Sequence, residues 1–252
     1  MRYFAELAYN GMNYCGWQKQ PNEASVQETI EQALSTILRQ PIEIVGCGRT
    51  DAGVHASQYF IHFDVESALP EGLMHRLNKF LPDDIAIYQF IAIHHDAHAR
   101  YDAFHRKYGY YVNTQKNPFS LETAYHFPFG AQLNFQKMQM AAELLLDYEA
   151  FAPFCKTNTD TKTMNCHIIQ SEWEWIESNK KLVYHIAANR FLRGMVRLIV
   201  GMCLNVGLNR ISIETVKQSL DTQQPLAKSW SVPPQGLFLE EIKYPYIQTK
   251  II

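Results

Sequence analysis

Hydrophobic and polar residues alternate with period two over residues 2–9, which predicts a strand. A loop carrying Gly11, Gly16 and Pro21 follows. Ser25 and Glu28 then form a capping-box pattern ahead of Val26, Ile30, Ala33, Leu34, Ile37 and Leu38, which share one face of a helix closed by Pro41. Residues 42–46 read as a strand, and the alternation of Tyr59, Ile61, Phe63 and Val65 gives another. Residues 71–81 form a helix stopped by Pro82, and residues 85–93 an apolar strand. The order β-α-β-β-α-β is that of the split βαβ, or ferredoxin-like, unit.

The rest of the chain repeats that order with longer insertions. Residues 104–113 read as a strand, and Asn134 caps an amphipathic helix over Phe135, Met138, Ala142, Leu145 and Leu146. Strands near 165–176 and 182–188 follow, then a helix at about 190–208, a short one capped by Ser212, and a last strand at 237–243. The expected fold is α+β: two ferredoxin-like halves, 1–100 and 101–252, with a largely antiparallel sheet and a central cleft.

Composition narrows the class. The chain has 252 residues, 47% of them hydrophobic and 19% charged, enough apolar material to offset the entropy of ordering. No apolar run reaches the ~18–20 residues a membrane helix needs, and Glu6 interrupts any leader-like core in the first ten residues. A soluble, cytoplasmic protein is expected. The five cysteines are scattered without a C-x-x-C pair, so they read as buried small side chains rather than disulfides or a zinc site.

Net charge is −2 overall but unevenly spread, −5 over residues 1–100 and +3 over residues 101–252. Residues 178–213 hold Lys180, Lys181, Arg190, Arg193, Arg197 and Arg210 with no acid, and residues 103–121 hold Arg106, Lys107 and Lys116, again with none. Local basic surfaces on a near-neutral protein suit a polyanion held in one place, although a charge cluster by itself reads first as a solvated face.

The segment 46–56, GCGRTDAGVHA, lies between two predicted strands and has three glycines in eight residues, so the backbone turns sharply or is closely approached there. It matches neither phosphate-loop pattern. What remains is one carboxylate, Asp51, on a tight loop two positions after Arg49. By residue type alone, Asp51 reads as a turn residue bonding its own backbone.

GRTDAGVHA, together with YNGMNYCGWQKQPNEASVQETIEQAL, HARYDAFHRKYGYYVN, NRFLRGMVRLIVG and QGLFLEEIKYP, resembles the TruA-type tRNA pseudouridine synthases across essentially the whole chain. The resemblance implies isomerisation of uridine to pseudouridine in the tRNA anticodon stem-loop, at positions 38, 39 and 40. It also implies no cofactor, and a homodimer whose subunits each comprise two ferredoxin-like halves. It makes Asp51 the nucleophile, with attack at ribose C1′ or uracil C6 left open. Arg197 becomes its ion-pair partner, a role that lowers a carboxylate pKa by about 1–3 units. Tyr108 becomes the ring that stacks on the target uracil, with a phenol available for proton transfer, and Gly109 stands where the family commonly has a basic residue. Arg49 becomes the side chain that helps extrude the base.

At 100° per residue, Arg190, Arg193 and Arg197 fall on one side of the expected 190–208 helix, and alternation sets Arg106 beside Tyr108. Arg106, Arg190 and Arg193 are therefore candidates for RNA contact, against the plainer reading of a solvated stripe. His94 and His98 have i, i+4 spacing, but they sit between strands without an H-E-x-x-H motif or matching carboxylate, so a loop reading outweighs a metal. A non-catalytic RNA-binding protein on the same fold is the alternative function; intact Asp51, Tyr108 and Arg197 argue against it.

Overall fold

The computed structural model describes residues 1–156, 163–176, 180–228 and 230–247, so the first two residues of the basic 178–213 segment lie outside it. The chain is α+β, with mixed strand pairing and five α-helices among those residues. It divides into two compact units: residues 1–104 with 238–252, and residues 105–237. By chain order the segment after residue 237 would go with the second half; it clusters instead with the first.

In the first unit, β1 (Arg2–Tyr9) pairs antiparallel with both β3 (His55–Asp64) and β4 (Ile85–Ile93). Phe4, Ala5, Leu7 and Tyr9 are buried, and since neighbouring side chains point to opposite faces, β1 is covered on both faces of the sheet here. α1 (Val26–Leu38) starts at Ser25, whose Oγ accepts the Glu28 N–H at 3.2 Å, and it buries Val26, Ile30, Ala33 and Leu34. The expected strand at 42–46 shrinks to β2 (Val45–Gly46), which pairs with β3. Ahead of it, the Ile42 and Ile44 amides donate to Ser35 Oγ and Glu31 Oε1, side-chain acceptors that replace a strand neighbour. α2 (Leu73–Phe80) packs through Leu73 and Leu77.

In the second unit, β5 (His105–Asn113) pairs in parallel with β6 (Tyr125–His126). Asn134 caps α3 (Phe135–Glu143), and Leu145 is buried in the 3-10 turn that ends it. β7 (Ile168–Ile176) and β8 (Lys181–Ala188) form an antiparallel pair, with β5 on the far side of β8. α4 (Met195–Gly207) is buried all round except at Arg197, the signature of a core helix rather than an amphipathic one. α5 (Ile213–Thr222) begins at Ser212 as expected. Most of β9 (Leu237–Lys243) lies in the first unit, where Phe238 and Leu239 pair in parallel with His55 and Ala56. Among the described residues no helix is long and apolar enough to cross a membrane.

Candidate active site

Asp51 sits on the loop between β2 and β3, and that loop is fixed by backbone bonds rather than left to its own flexibility. The Val54 N–H donates to the Asp51 carbonyl at 3.2 Å, closing a turn whose third residue, Gly53, has φ +74°. A type II turn needs that left-handed conformation, which a Cβ disfavours. A second loop, residues 14–17, clamps the first: Trp17 N–H donates to Thr50 O at 3.2 Å and Gly53 N–H to Tyr14 O at 3.4 Å, and Gly16 bridges Asp51. Gly16 has φ +110°, and a Cβ there would collide with the Thr50 carbonyl oxygen, so this approach requires glycine.

Beneath the loop lies a buried aromatic platform. Trp17 and Tyr59 stack with centroids 4.1 Å apart, and Tyr9 meets Tyr59 edge-on at 5.5 Å. Two of these rings hold the loop by their hydroxyls, Tyr9 to Thr50 Oγ1 at 2.9 Å and Tyr59 to the Gly48 carbonyl. The result is a half-buried carboxylate on a rigid bend, with Arg49 exposed two residues away. His55, the histidine of GRTDAGVHA, is buried and structural: its Nδ1 accepts the Gly11 N–H at 3.1 Å, and its ring stacks on Phe238 at 4.4 Å.

In the second unit Tyr108 stands in the middle of β5, half-buried, with Phe191 edge-to-face at 5.1 Å and 89°. Tyr110, on the same strand face, is wholly buried and donates to the Pro233 carbonyl at 2.7 Å; burial drives its phenol pKa far up. Of the two tyrosines, Tyr108 therefore has the accessible ring. Arg106 Nη1 donates to Asn189 O at 2.9 Å, and Asn189 Oδ1 in turn accepts the His167 N–H at 2.8 Å.

Arg197 is in the first turn of α4, where a cation opposes the helix dipole at a cost of about 0.3–1 kcal/mol. Its Nε donates to Val232 O at 2.7 Å, while Val232 N–H donates back to the Arg197 carbonyl at 3.2 Å. Gly201, one turn on, lacks the Cβ that would strike the Trp230 carbonyl, so the 230–233 segment lies directly on the helix.

Contrary to the expectation from spacing, the three arginines do not share one helical face. α4 starts at Met195 behind Gly194 at φ +70°, so half-buried Arg190 and exposed Arg193 belong to the loop before the helix. That loop is pinned instead by Leu192, which is buried, and by Lys156 N–H donating to Arg193 O at 3.0 Å. The Trp17–Tyr59 platform and the Val232 anchor have no local sequence signal, since each joins residues more than thirty positions apart.

The residues 94–102 form a turn-rich loop in which His98 packs against His62 and Tyr101. Among the described residues no cluster of three His, Cys, Asp or Glu is arranged to hold a metal ion.

A family model described as tRNA pseudouridine synthase matches residues 5–102 and 141–245, segments that include Asp51 and Arg197. The tRNA pseudouridine synthase A of Azobacteroides pseudotrichonymphae is 45% identical over 245 residues, 97% of either chain. That of Parabacteroides distasonis is 45% identical over 246 residues, covering 97% of this chain and 96% of the relative. The Bacillus subtilis enzyme is 36% identical over 247 residues, covering 97% and 99%. The chain belongs to the tRNA pseudouridine synthase family.

Proposed function

We propose that this enzyme isomerises uridine in the tRNA anticodon stem-loop, at positions 38, 39 and 40, using Asp51 as nucleophile and no cofactor. Membership of the family carries the isomerisation of tRNA uridine to pseudouridine. The observation that carries the role of Asp51 is its placement: a half-buried carboxylate on a bend held by the 14–17 loop and the Tyr9, Trp17 and Tyr59 rings. Pre-organisation of this kind is what a nucleophile needs.

The reaction breaks N1–C1′, turns the uracil over, and joins C5 to C1′; the C5 proton is lost and N1 gains one. The Asp51 oxygen adds either to C1′, releasing the base, or to C6, giving it a handle for rotation. Either path ends with the carboxylate restored, so no other reagent is consumed.

Arg197 is the ion-pair partner of Asp51, its positive charge offsetting the desolvation that a stacked base imposes on a carboxylate. Its bond to Val232 O supports that role by fixing the guanidinium's direction. Tyr108 supplies the stacking face, with Phe191 bracing the ring from the side. Arg49 replaces the extruded base in the stack, while Arg106, Arg190 and Arg193 meet phosphates.

Two ferredoxin-like halves, a homodimer and a cytoplasmic location complete the reading. The element order β1-α1-β2-β3-α2-β4 of the first unit favours the first of these.

The test is Asp51→Ala and Asp51→Asn, assayed on unmodified tRNA for pseudouridine and for affinity. Both are expected to abolish product while binding tRNA within about two-fold of wild type. Product from a clean Asp51→Ala preparation would overturn the assignment.

A further inference from the structure

The two acid-free basic stretches of the sequence each have an end that the catalytic reading does not use. The structure joins those ends within the second unit. Thr114 donates to the Lys180 carbonyl from its N–H at 3.0 Å and from its Oγ1 at 2.9 Å, and the β5–β8 register sets Asn113 opposite Lys181. The Lys181 ammonium lies 5.2 Å over the Tyr111 ring.

The loop that leaves β5 at this point is built rather than slack. Asn117 accepts the Phe119 N–H at 3.0 Å and caps the 3-10 turn Pro118–Ser120, while Ser120 Oγ accepts from Asn113 Nδ2 at 2.6 Å. The turn holds Phe119 at 96% exposure, the highest of any large apolar side chain among the described residues. Lys116 and Lys180 are exposed as well; Glu122 is the one acid in this loop.

A lone exposed hydrophobe needs no explanation. A flat ring held out by a capped turn, with Lys116 three residues before it and Lys180 bonded to the start of its loop, calls for one, because it contributes nothing to the core. Base faces stack on such rings without regard to sequence, and ammonium groups meet the flanking phosphates.

We infer that the Phe119 turn, with Lys116, Lys180 and Lys181, is a second RNA-contact surface, on which an unpaired base of the tRNA stacks. The inference rests on the reading of tRNA as substrate. β5 rises about 3.3 Å per residue, so Tyr108 and the start of this loop are about 20 Å apart along the strand. The turn therefore grips RNA a few nucleotides from the reacting uridine and adds affinity without touching the chemistry.

The test uses full-length Phe119→Ala, Phe119→Leu and Phe119→Trp, each with a tRNA Kd, kcat at saturating tRNA and a sedimentation profile. The alanine and leucine variants are expected to bind about ten-fold more weakly, with kcat unchanged. The tryptophan variant is expected to bind like wild type and to lose indole fluorescence on adding tRNA. Lys116→Ala and Lys180→Ala should each lower the slope of log affinity against log salt by about one.

An unchanged Kd in Phe119→Ala would overturn the inference. So would a leucine variant equal to wild type, since apolar area rather than a ring would then suffice, or a change confined to sedimentation, which would assign the turn to a protein contact. Wild-type protein that binds tRNA but makes no pseudouridine would sink the catalytic reading alone, and this surface would still be judged on the Kd values.

Discussion

Tyr108 combines two properties that a substitution can separate. Its ring is half-buried and braced edge-on by Phe191, and its hydroxyl is the polar end of that ring. In the proposed reaction, stacking would rest on the ring, worth about 1–3 kcal/mol per base, and proton transfer at C5 on the hydroxyl, a step worth about 10²–10⁴-fold in rate. Tyr108→Phe should therefore keep tRNA affinity within about two-fold and lose about a hundred-fold in kcat. Tyr108→Ala should lose both, with Kd rising by ten-fold or more. Single-turnover kinetics beside a filter-binding Kd read the two quantities separately. Equal kcat in the phenylalanine variant and wild type would remove the hydroxyl from the reaction and leave the stacking role standing.

At the scale of elements, the loop around Asp51 trades stability for position. Gly53 at φ +74° and Gly16 at φ +110° let two loops approach backbone to backbone. Gly53→Ala should cost about 1–2 kcal/mol of unfolding free energy and, by shifting the bend, at least ten-fold in kcat. Ser212→Ala, which removes the Oγ that accepts the Thr215 N–H at the start of α5, is the matched control. It should cost about 0.5–2 kcal/mol and leave kcat unchanged. Denaturant titrations and steady-state rates on the same preparations compare them, and equal loss of kcat in both would mean the bend has no special role.

What the sequence made legible follows the range of the forces involved. Period-two alternation located β1, and the Ser25 and Asn134 caps located their helices, because those signals lie within a few residues. α4 starts five residues later than the pattern predicts, since Gly194 looks like any glycine until its φ is known. The tether of Arg197 to Val232, and the pairing of Phe238 with His55, join residues remote in sequence and leave no local trace. Asp51 stands out as a candidate only through the resemblance carried by its loop; as a residue type it reads as a turn aspartate.

At the scale of the whole molecule, the first unit carries a titratable group that sets how far its stability extends into acid. His62 on β3 is 5% exposed; its Nδ1 accepts the Ala99 N–H at 3.1 Å, and its ring lies against Phe4 and His98. Burial, followed by the nearby Arg2 guanidinium and by His98, lowers its pKa from 6.5 to about 4, while Asp64 and Asp102 pull weakly the other way.

Protonation is thus harder in the folded protein than in the unfolded chain, which binds the extra proton between those two values. Stability from this group is fully present above about pH 6.5 and is lost as the pH falls toward 4, by up to about 3 kcal/mol. Asp64 and Asp102, whose pKa values are held down by the Arg2 hydrogen bond and by the His98 N–H respectively, lose their contributions only at lower pH, so the two regimes separate. His62→Asn keeps an acceptor at the Nδ1 position for Ala99 and does not titrate. Urea unfolding at half-unit steps from pH 7.5 to 4 should show a falling free energy in wild type and a flatter line in the asparagine variant. Parallel lines would place the acid sensitivity of the unit elsewhere, with half-buried His98, also held below its ordinary value by burial, as the next group to substitute.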